Sequence, residues 1–465
     1  MQRAGADGPV EPKTRRRACR LDRGRPPGIG VAATRTLALS RLEGIEAQTS
    51  LSSSPLSTPH TSSDVWRLSD LPLSVSVATR ICCFSALGIM GQVYLSQLGG
   101  SQLQISLSTS LAWGAIMLFS RFWGALSDAL AMRRGTILVA ATGSTLMSLM
   151  LVRSASVSAV LMGVFLVEAF GAGLPPAAMA LLSERGAAAS RGKRISLFTT
   201  SQSIGVLAGS LLGGLLASTL PFPGAFGVIT AVSAGTVVAA LLIPRRDGVT
   251  GIRMENWRAA ARKILPSFEV VAQSKSLREY GLLYAYGGVV LRKAGVIGIM
   301  GLVIVYLDER LALTPLTSGA LFAINPAAQA LFMPVWGRAA DRFRRRPIFL
   351  SGYLLTLLMP VMILLADSTW LLVGSFLVLG VGFSGFITGI TAYIGDIAPG
   401  DEQGELMGLL SVSQGAGGIL GPLVAGVVSS PFVLGYDGMF VSMFLMMLVG
   451  LILTVIGTRD SGPAR

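Results

Sequence analysis

The sequence is short of charge, of histidine and of cysteine. Only 13% of its 465 residues are Asp, Glu, Lys or Arg, against roughly 25% in an average soluble chain. Apolar residues make up 52% and the mean hydropathy is +0.65. So few charges cannot cover that much apolar surface in water, and lipid is the solvent that lets apolar side chains face outward. The single histidine, His60, lies in a Ser/Thr/Pro-rich stretch, which argues against a histidine-based catalytic or metal site. Cys19, Cys82 and Cys83 have no metal-ligand spacing. The adjacent pair sits in an apolar run and reads as small packing residues. No G-x-x-x-x-G-K-S/T phosphate loop occurs, so ATP is not expected as the energy source. No His/Asp/Glu cluster falls in the apolar runs, as a membrane enzyme would require.

What is plentiful is glycine, with 56 residues, and methionine, with 18; small residues let membrane helices approach closely. The net charge of +14 would suggest nucleic acid in a soluble protein. Here the bases sit in an N-terminal tail and in short loops, the pattern of cytoplasmic connections, so no nucleic-acid partner is expected. Residues 1–65 hold "KTRRRACRLDRGRPPG" and "SLSSSPLSTPHTSSD", which cannot bury a core and predict a disordered tail. An Arg- and Ser-rich start of this kind reads equally as a transit peptide or as sequence upstream of a misassigned start.

From about residue 72, apolar runs of roughly 18 to 28 residues alternate with short polar breaks, each long enough to cross about 30 Å of hydrocarbon. The predicted spans are 73–97, 102–125, 135–153, 156–183, 194–218, 222–243, 281–307, 315–339, 347–366, 369–395, 403–429 and 435–457. They divide into a first half, 66–243, a basic linker, 244–280, a second half, 281–458, and a tail, 459–465. Breaks after even spans are basic, whereas those after odd spans carry little charge, so both termini are expected to be cytoplasmic. Asn325-Pro326 and Pro175-Pro176 are predicted helix breakers, tolerated where they face protein or a wet cavity.

The halves repeat one another. "WGALSDALAMRR" (123–134) and "WGRAADRFRRRP" (336–347) share a skeleton in which Trp123/Trp336, Gly124/Gly337, Asp128/Asp341 and Arg133/Arg346 stand 213 apart. At a spacing of 212, Ser201/Ser413, Gln202/Gln414 and Gly209/Gly421 coincide, as do Arg80/Arg292, Tyr94/Tyr306 and Glu184/Asp396.

Over about residues 70–458 the chain resembles a major facilitator superfamily transporter. The second copy of its first signature, Gly337, Asp341, Arg342, Arg345 and Arg346, is the fuller match; the first keeps Gly124, Asp128, Arg133 and Arg134. The resemblance implies an all-α polytopic membrane protein of about twelve transmembrane helices in two pseudo-symmetric six-helix bundles. It also implies a latch. The glycine admits a neighbouring helix, and the aspartate meets an arginine and the positive helix N-terminus of the other half. Such a latch holds only while the cytoplasmic ends touch, and so biases one of two states. Glu184 and Asp396 resemble its acidic partners, with Arg191 following the first and Gln403 in place of the second arginine. The charges also read as simple topology markers. The glycine-rich fifth and eleventh spans resemble an antiporter signature, but Ser210 stands where its proline would be.

Ionisable groups inside a membrane cost at least about 2.5–3.5 kcal/mol at a helix centre, so each needs a reason. Glu168 falls in the fourth span, Arg80 in the first, and Arg292 and Lys293 in the seventh. In the resembled family, spans one, four, seven and ten line the central cavity. Three readings stand side by side: Glu168 as a protonation site, Glu168 in a permanent ion pair with Arg80 or Arg292, or a basic excess that attracts an anionic substrate. Gln92, Tyr94, Asn325, Gln329 and Tyr393 are weaker candidates for substrate contact.

The function so implied is secondary transport of a small solute by alternating access, with efflux of amphipathic compounds ahead of uptake of an organic anion or other metabolite. A non-transporting receptor of the same fold is the other alternative. No resident cofactor or metal is expected, only a proton gradient as energy source. The expected partners are a lipid bilayer and a small-molecule substrate, and the chain is expected to act as a monomer. The expected location is the cell membrane, or an organelle membrane if the tail is a transit peptide.

Overall fold

The computed structural model describes residues 70–130, 132–184, 191–244, 281–397 and 402–458, with the side chains of 183, 184, 191–193, 195 and 196 left out. The expected N-terminal tail, almost all of the linker and the C-terminal tail lie outside the described residues. Among those residues there are fourteen helices and no strand. The first half holds α1 (Leu71–Gln97), α2 (Gln102–Leu130), α3 (Arg133–Val152), α4 (Val157–Gly171), α5 (Leu174–Glu184), α6 (Arg191–Thr219) and α7 (Phe222–Leu241). The second holds α8 (Leu282–Met300), α9 (Val303–Leu311), α10 (Pro315–Arg342), α11 (Arg345–Leu364), α12 (Thr369–Ile397), α13 (Gln403–Val428) and α14 (Gly435–Gly457). Twelve crossings are long and apolar enough for a bilayer, α4 and α5 counting as one. The shortest, α8, has 19 residues, about 28 Å at 1.5 Å per residue.

Helix starts follow ordinary capping chemistry. The Ser156 and Thr314 hydroxyls accept the backbone N–H of Ala159 and Thr317, each at 3.3 Å, and Pro315 takes the first helical position, where a missing N–H costs nothing. The fourth crossing breaks at Ala172–Gly173, directly before Leu174-Pro175-Pro176, where the prolines fall in the first turn of α5.

Two breaks depart from expectation. Asn325-Pro326 does not interrupt the eighth crossing: α10 runs on through Pro326 and Pro334, as membrane helices can when neighbours re-satisfy the freed backbone groups. The seventh crossing instead parts at Gly301–Leu302, without a proline. There the Gln92 Nε2 donates to the Met300 carbonyl at 2.9 Å, supplying a partner at the helix end.

The halves pack alike. In the first, α1 lies on α6 and α7, α3 on α4 and α7, and α2 on α4. In the second, α8 lies on α13 and α14, α11 on α12 and α14, and α10 on α12. Two divisions depart from the element-by-element match: the fourth crossing is two helices where the tenth is one, and the seventh is two where the first is one. The halves meet along two seams, α2 against α13 and α6 against α10, which the repeat also exchanges.

Candidate functional site

The face where α1 begins and α14 ends also carries Arg133, Arg134, Arg345 and Arg346, and is here the basic face. Each copy of the repeated stretch does three separate jobs there. First, the indole N–H of Trp123 donates to the Ala169 carbonyl at 2.8 Å, and that of Trp336 to Val381 at 3.0 Å. The rings press on Gly173 and Gly385, where a Cβ would come within 2.7 and 2.8 Å of ring atoms. Each tryptophan thus ties the second crossing of its half to the fourth. The sequence reading kept these residues only as landmarks; the recurrence of Gly173 and Gly385 at the same 212 spacing was the signal for a packed indole.

Second, Arg133 pairs with Asp128 and donates to the Ser127 hydroxyl at 3.2 Å. Arg345 pairs with Asp341 at 3.3 Å and with Asp396 at 3.0 Å, and reaches the Ala340 carbonyl. Third, Arg134 donates to the Leu241 carbonyl at 2.7 Å, and Arg346 to the Val455 carbonyl at 3.0 Å and the Thr458 hydroxyl at 3.3 Å. These arginines cap the C-terminal ends of α7 and α14, where cations are favoured. Arg133 therefore corresponds to Arg345, and Arg134 to Arg346, at a spacing of 212. The one-residue difference from the 213 of the tryptophans and aspartates falls in the loop before each arginine pair. Arg342 is exposed and has no ion pair among the described residues. The side chains of Glu184 and Arg191 lie outside the described residues.

All of these ties stay within one half. The aspartates do not reach across, and their side chains are open to solvent, Asp128 at 53% and Asp341 at 80%. The seams explain why. On one seam Gly426 touches Leu103 and Ser106, the Ser110 hydroxyl donates to the Ile419 carbonyl at 2.8 Å, and Gly418 and Gly415 take Trp113 and Met117. On the other, Gly319 meets Ser210 and Gly214, and the Leu316 N–H donates to Ser218 at 2.9 Å. Gly124 lies two turns beyond Met117 on the same stripe, and Gly337 five turns beyond Gly319. A Cβ at either, or at Gly404 or Gly408, would meet nothing within 4 Å. Among the described residues the halves pack at the face away from the arginines and stand apart at the basic face, and the expected contact of the aspartates with the other half is not made.

Of the charged residues buried among those described, Arg80, Arg134, Glu168, Arg292 and Lys293, only Glu168 is acidic. Its Oε2 accepts from Arg80 Nη2 at 2.5 Å, with the two side chains 1% and 5% exposed. Arg80 lies over Gly171, where no Cβ would fit. Of the two partners open to Glu168, the fold brings Arg80 and not Arg292. Arg292 Nη2 donates to the Thr356 hydroxyl at 2.8 Å, and its guanidinium stands 4.1 Å from the Phe386 ring centroid. Lys293 Nζ stands 4.3 Å from the Trp113 ring and 5.8 Å from that of Phe383. Neither cation has a carboxylate partner among the described residues.

The weaker candidates scatter. Tyr94 donates to the Ser154 carbonyl at 2.7 Å and stacks on Phe222 at 4.5 Å; its counterpart Tyr306 instead meets Tyr436 and Phe440 edge-on. Gln329 bonds Asn325 at 2.9 Å along α10. Tyr393 is buried against Phe349.

The sequence profile of the Major Facilitator Superfamily matches residues 73–291 and 285–465. An uncharacterized MFS-type transporter of Bacillus subtilis, YuxJ, is 27% identical over 68% of this chain and 78% of its own. A multidrug resistance efflux pump PmrA homologue of Lactococcus lactis is 31% identical, over 31% of this chain and 35% of its own. Among solved structures, the nucleoside transporter NupG superposes with a TM-score of 0.71 at 14% identity, covering 84% of this chain and all of NupG. A bacterial homologue of the human lysosomal transporter Spinster, described as inward-facing, gives 0.67 at 15% identity, covering 85% of this chain and 98% of its own.

Proposed function

The chain belongs to the Major Facilitator Superfamily, and from that premise we propose that it exports amphipathic compounds by rocking its two halves about a central site. The carrying observation is the pair of seams, packed at one face and parted at the other. One rigid-body movement would close the parted ends and open the packed ones, which is the requirement of alternating access. The Lys/Arg pattern of the loops supports a cytoplasmic basic face, and on that reading the conformation described is open inward. Efflux is supported by the multidrug efflux pumps that are similar to about a third of the chain. The proposed energy source is the proton gradient, and the proposed working unit is a single chain, with twelve candidate crossings of its own.

The test is accumulation in a bacterial strain stripped of its own drug pumps. Expression should lower the steady-state level of at least one member of a panel of anionic, neutral and cationic amphipaths, and a protonophore should restore it. Unchanged accumulation across the whole panel would refute export.

A further inference from the structure

The repeat exposes an imbalance of charge in the centre of the protein. Arg80 and Arg292 are equivalent, 212 residues apart. Arg80 has its acid, Glu168, on the fourth crossing. The residue 212 places on from Glu168 is Gly380, where a Cβ would already lie 2.5 Å from the Asn325 carbonyl. The second half therefore has neither the acid nor room for it at that place. Lys293 adds a further charge without counterpart, since the equivalent residue is Ile81.

Aromatic rings surround these cations instead. Arg292 is 2% exposed, with the Phe386 ring on its guanidinium and its Nε without a partner. Lys293 is 9% exposed, makes no hydrogen bond among the described residues, and lies between Trp113 of the first half and Phe383 of the second. Phe84 meets Trp113 edge-on at 6.3 Å, and Phe84, Trp113 and Phe383 are each only partly buried. A desolvated cation–π contact returns about 2 kcal/mol or more, against several kcal/mol for each buried ion. A cluster that spans both halves, carries two buried cations and presents part-exposed rings has the chemistry to hold an aromatic anion.

We infer that the solute carried is an organic anion with an aromatic body, its anionic group held at Lys293 and its ring against the part-exposed rings of Trp113 and Phe383. Arg292 stands behind as a second positive charge that strengthens the same preference. The inference rests on the transporter reading above and gives its substrate a chemical class. Because the cluster draws on both halves, rocking them would separate Trp113 from Lys293 and Phe383, and so would weaken the grip as the site changes sides.

The experiment uses the full chain in lipid nanodiscs and three probes with one ring system: 1-naphthoate, 1-naphthamide and 1-naphthylmethylammonium. Binding is followed by calorimetry at neutral pH. Naphthoate should bind at least about tenfold more tightly than the other two. Lys293→Met should abolish that preference, Lys293→Arg should keep it, and Trp113→Leu should weaken all three probes together. Melting temperature identifies any variant that has failed to fold, and the ranking in the unaltered protein stands without variants. Tighter binding of the methylammonium probe, no binding of any probe at millimolar concentration, or an unchanged preference in a folded Lys293→Met variant would each overturn the inference. Counterflow in proteoliposomes separates the two readings: transport of the methylammonium probe but not naphthoate would leave the transporter standing and the anion refuted.

Discussion

Arg80 and Glu168, 88 residues apart in sequence, share a hydrogen-bonded ion pair of 2.5 Å in the interior of the first half. The pair keeps α1 and the fourth crossing in one relation just before the break at Ala172–Gly173. Removing one partner leaves a lone buried charge, so Arg80→Met or Glu168→Gln should each lose about 3–5 kcal/mol of stability. Replacing both by methionine should recover most of it, because an apolar pair of similar volume is often neutral. Thermal melting of the purified protein decides the matter. A double variant that melts as low as the worse single one would rule out a structural ion pair.

The seam at the closed face should respond to a wedge. A Cβ at Gly319 would lie 2.5 Å from the Ser210 carbonyl and 2.9 Å from the Gly214 Cα. Gly319→Val should therefore disfavour that contact by about 1–3 kcal/mol, the usual cost of overpacking, and drive the basic face shut. In a background without Cys19, Cys82 and Cys83, the pair Gly124→Cys and Gly408→Cys reports closure by disulfide formation. Cross-linking should rise about tenfold with the wedge in place. No change would mean that the two seams are uncoupled.

The repeated arginines should separate by experiment into two kinds. Arg134→Ala and Arg346→Ala each remove charge-assisted bonds to helix-end carbonyls and should lose about 1.5–3 kcal/mol. Asp128→Asn and Asp341→Asn remove ion pairs whose acids are largely exposed, and should lose less than about 1 kcal/mol. Their effect should fall on the cross-link between positions 124 and 408. Equal losses of melting temperature in both sets would refute the division.

Ala312 closes α9 with φ of +50°, in the left-handed region that alanine occupies at a cost of roughly 1–2 kcal/mol. Its N–H bonds the Asp308 carbonyl and that of Leu313 the Leu307 carbonyl, so the turn itself is well made. Ala312→Gly should raise stability by about 1 kcal/mol, read from denaturation in detergent. A lower melting temperature would show that the methyl group contributes more than the backbone strain removes.

The crossings were legible because each is an unbroken apolar run, and Pro175-Pro176 marked the break beside it. The break at Gly301–Leu302 was not, since it depends on Gln92 and Pro422, which lie on other helices. Asn325-Pro326 misled for the converse reason: a proline's effect inside a membrane helix is set by its surroundings. In the buried charges, the sequence offered Glu168 two arginines at equivalent positions and could not choose. The choice is made by Gly171 beneath Arg80 and by the backbone crowding at Gly380, both contacts between distant segments. The repeated stretch was plain to read, but its arginines divide by what they reach, and Leu241 and Val455 lie more than 100 residues further on.

The ties made by Trp123 and Trp336, by the aspartates, and by Arg134 and Arg346 all end inside the half that makes them. Each half is then a self-sufficient building block, and the seams are the joint where two such blocks clip together. A chain severed between residues 245 and 280, and made as two co-expressed polypeptides, should reassemble in the membrane into one working particle.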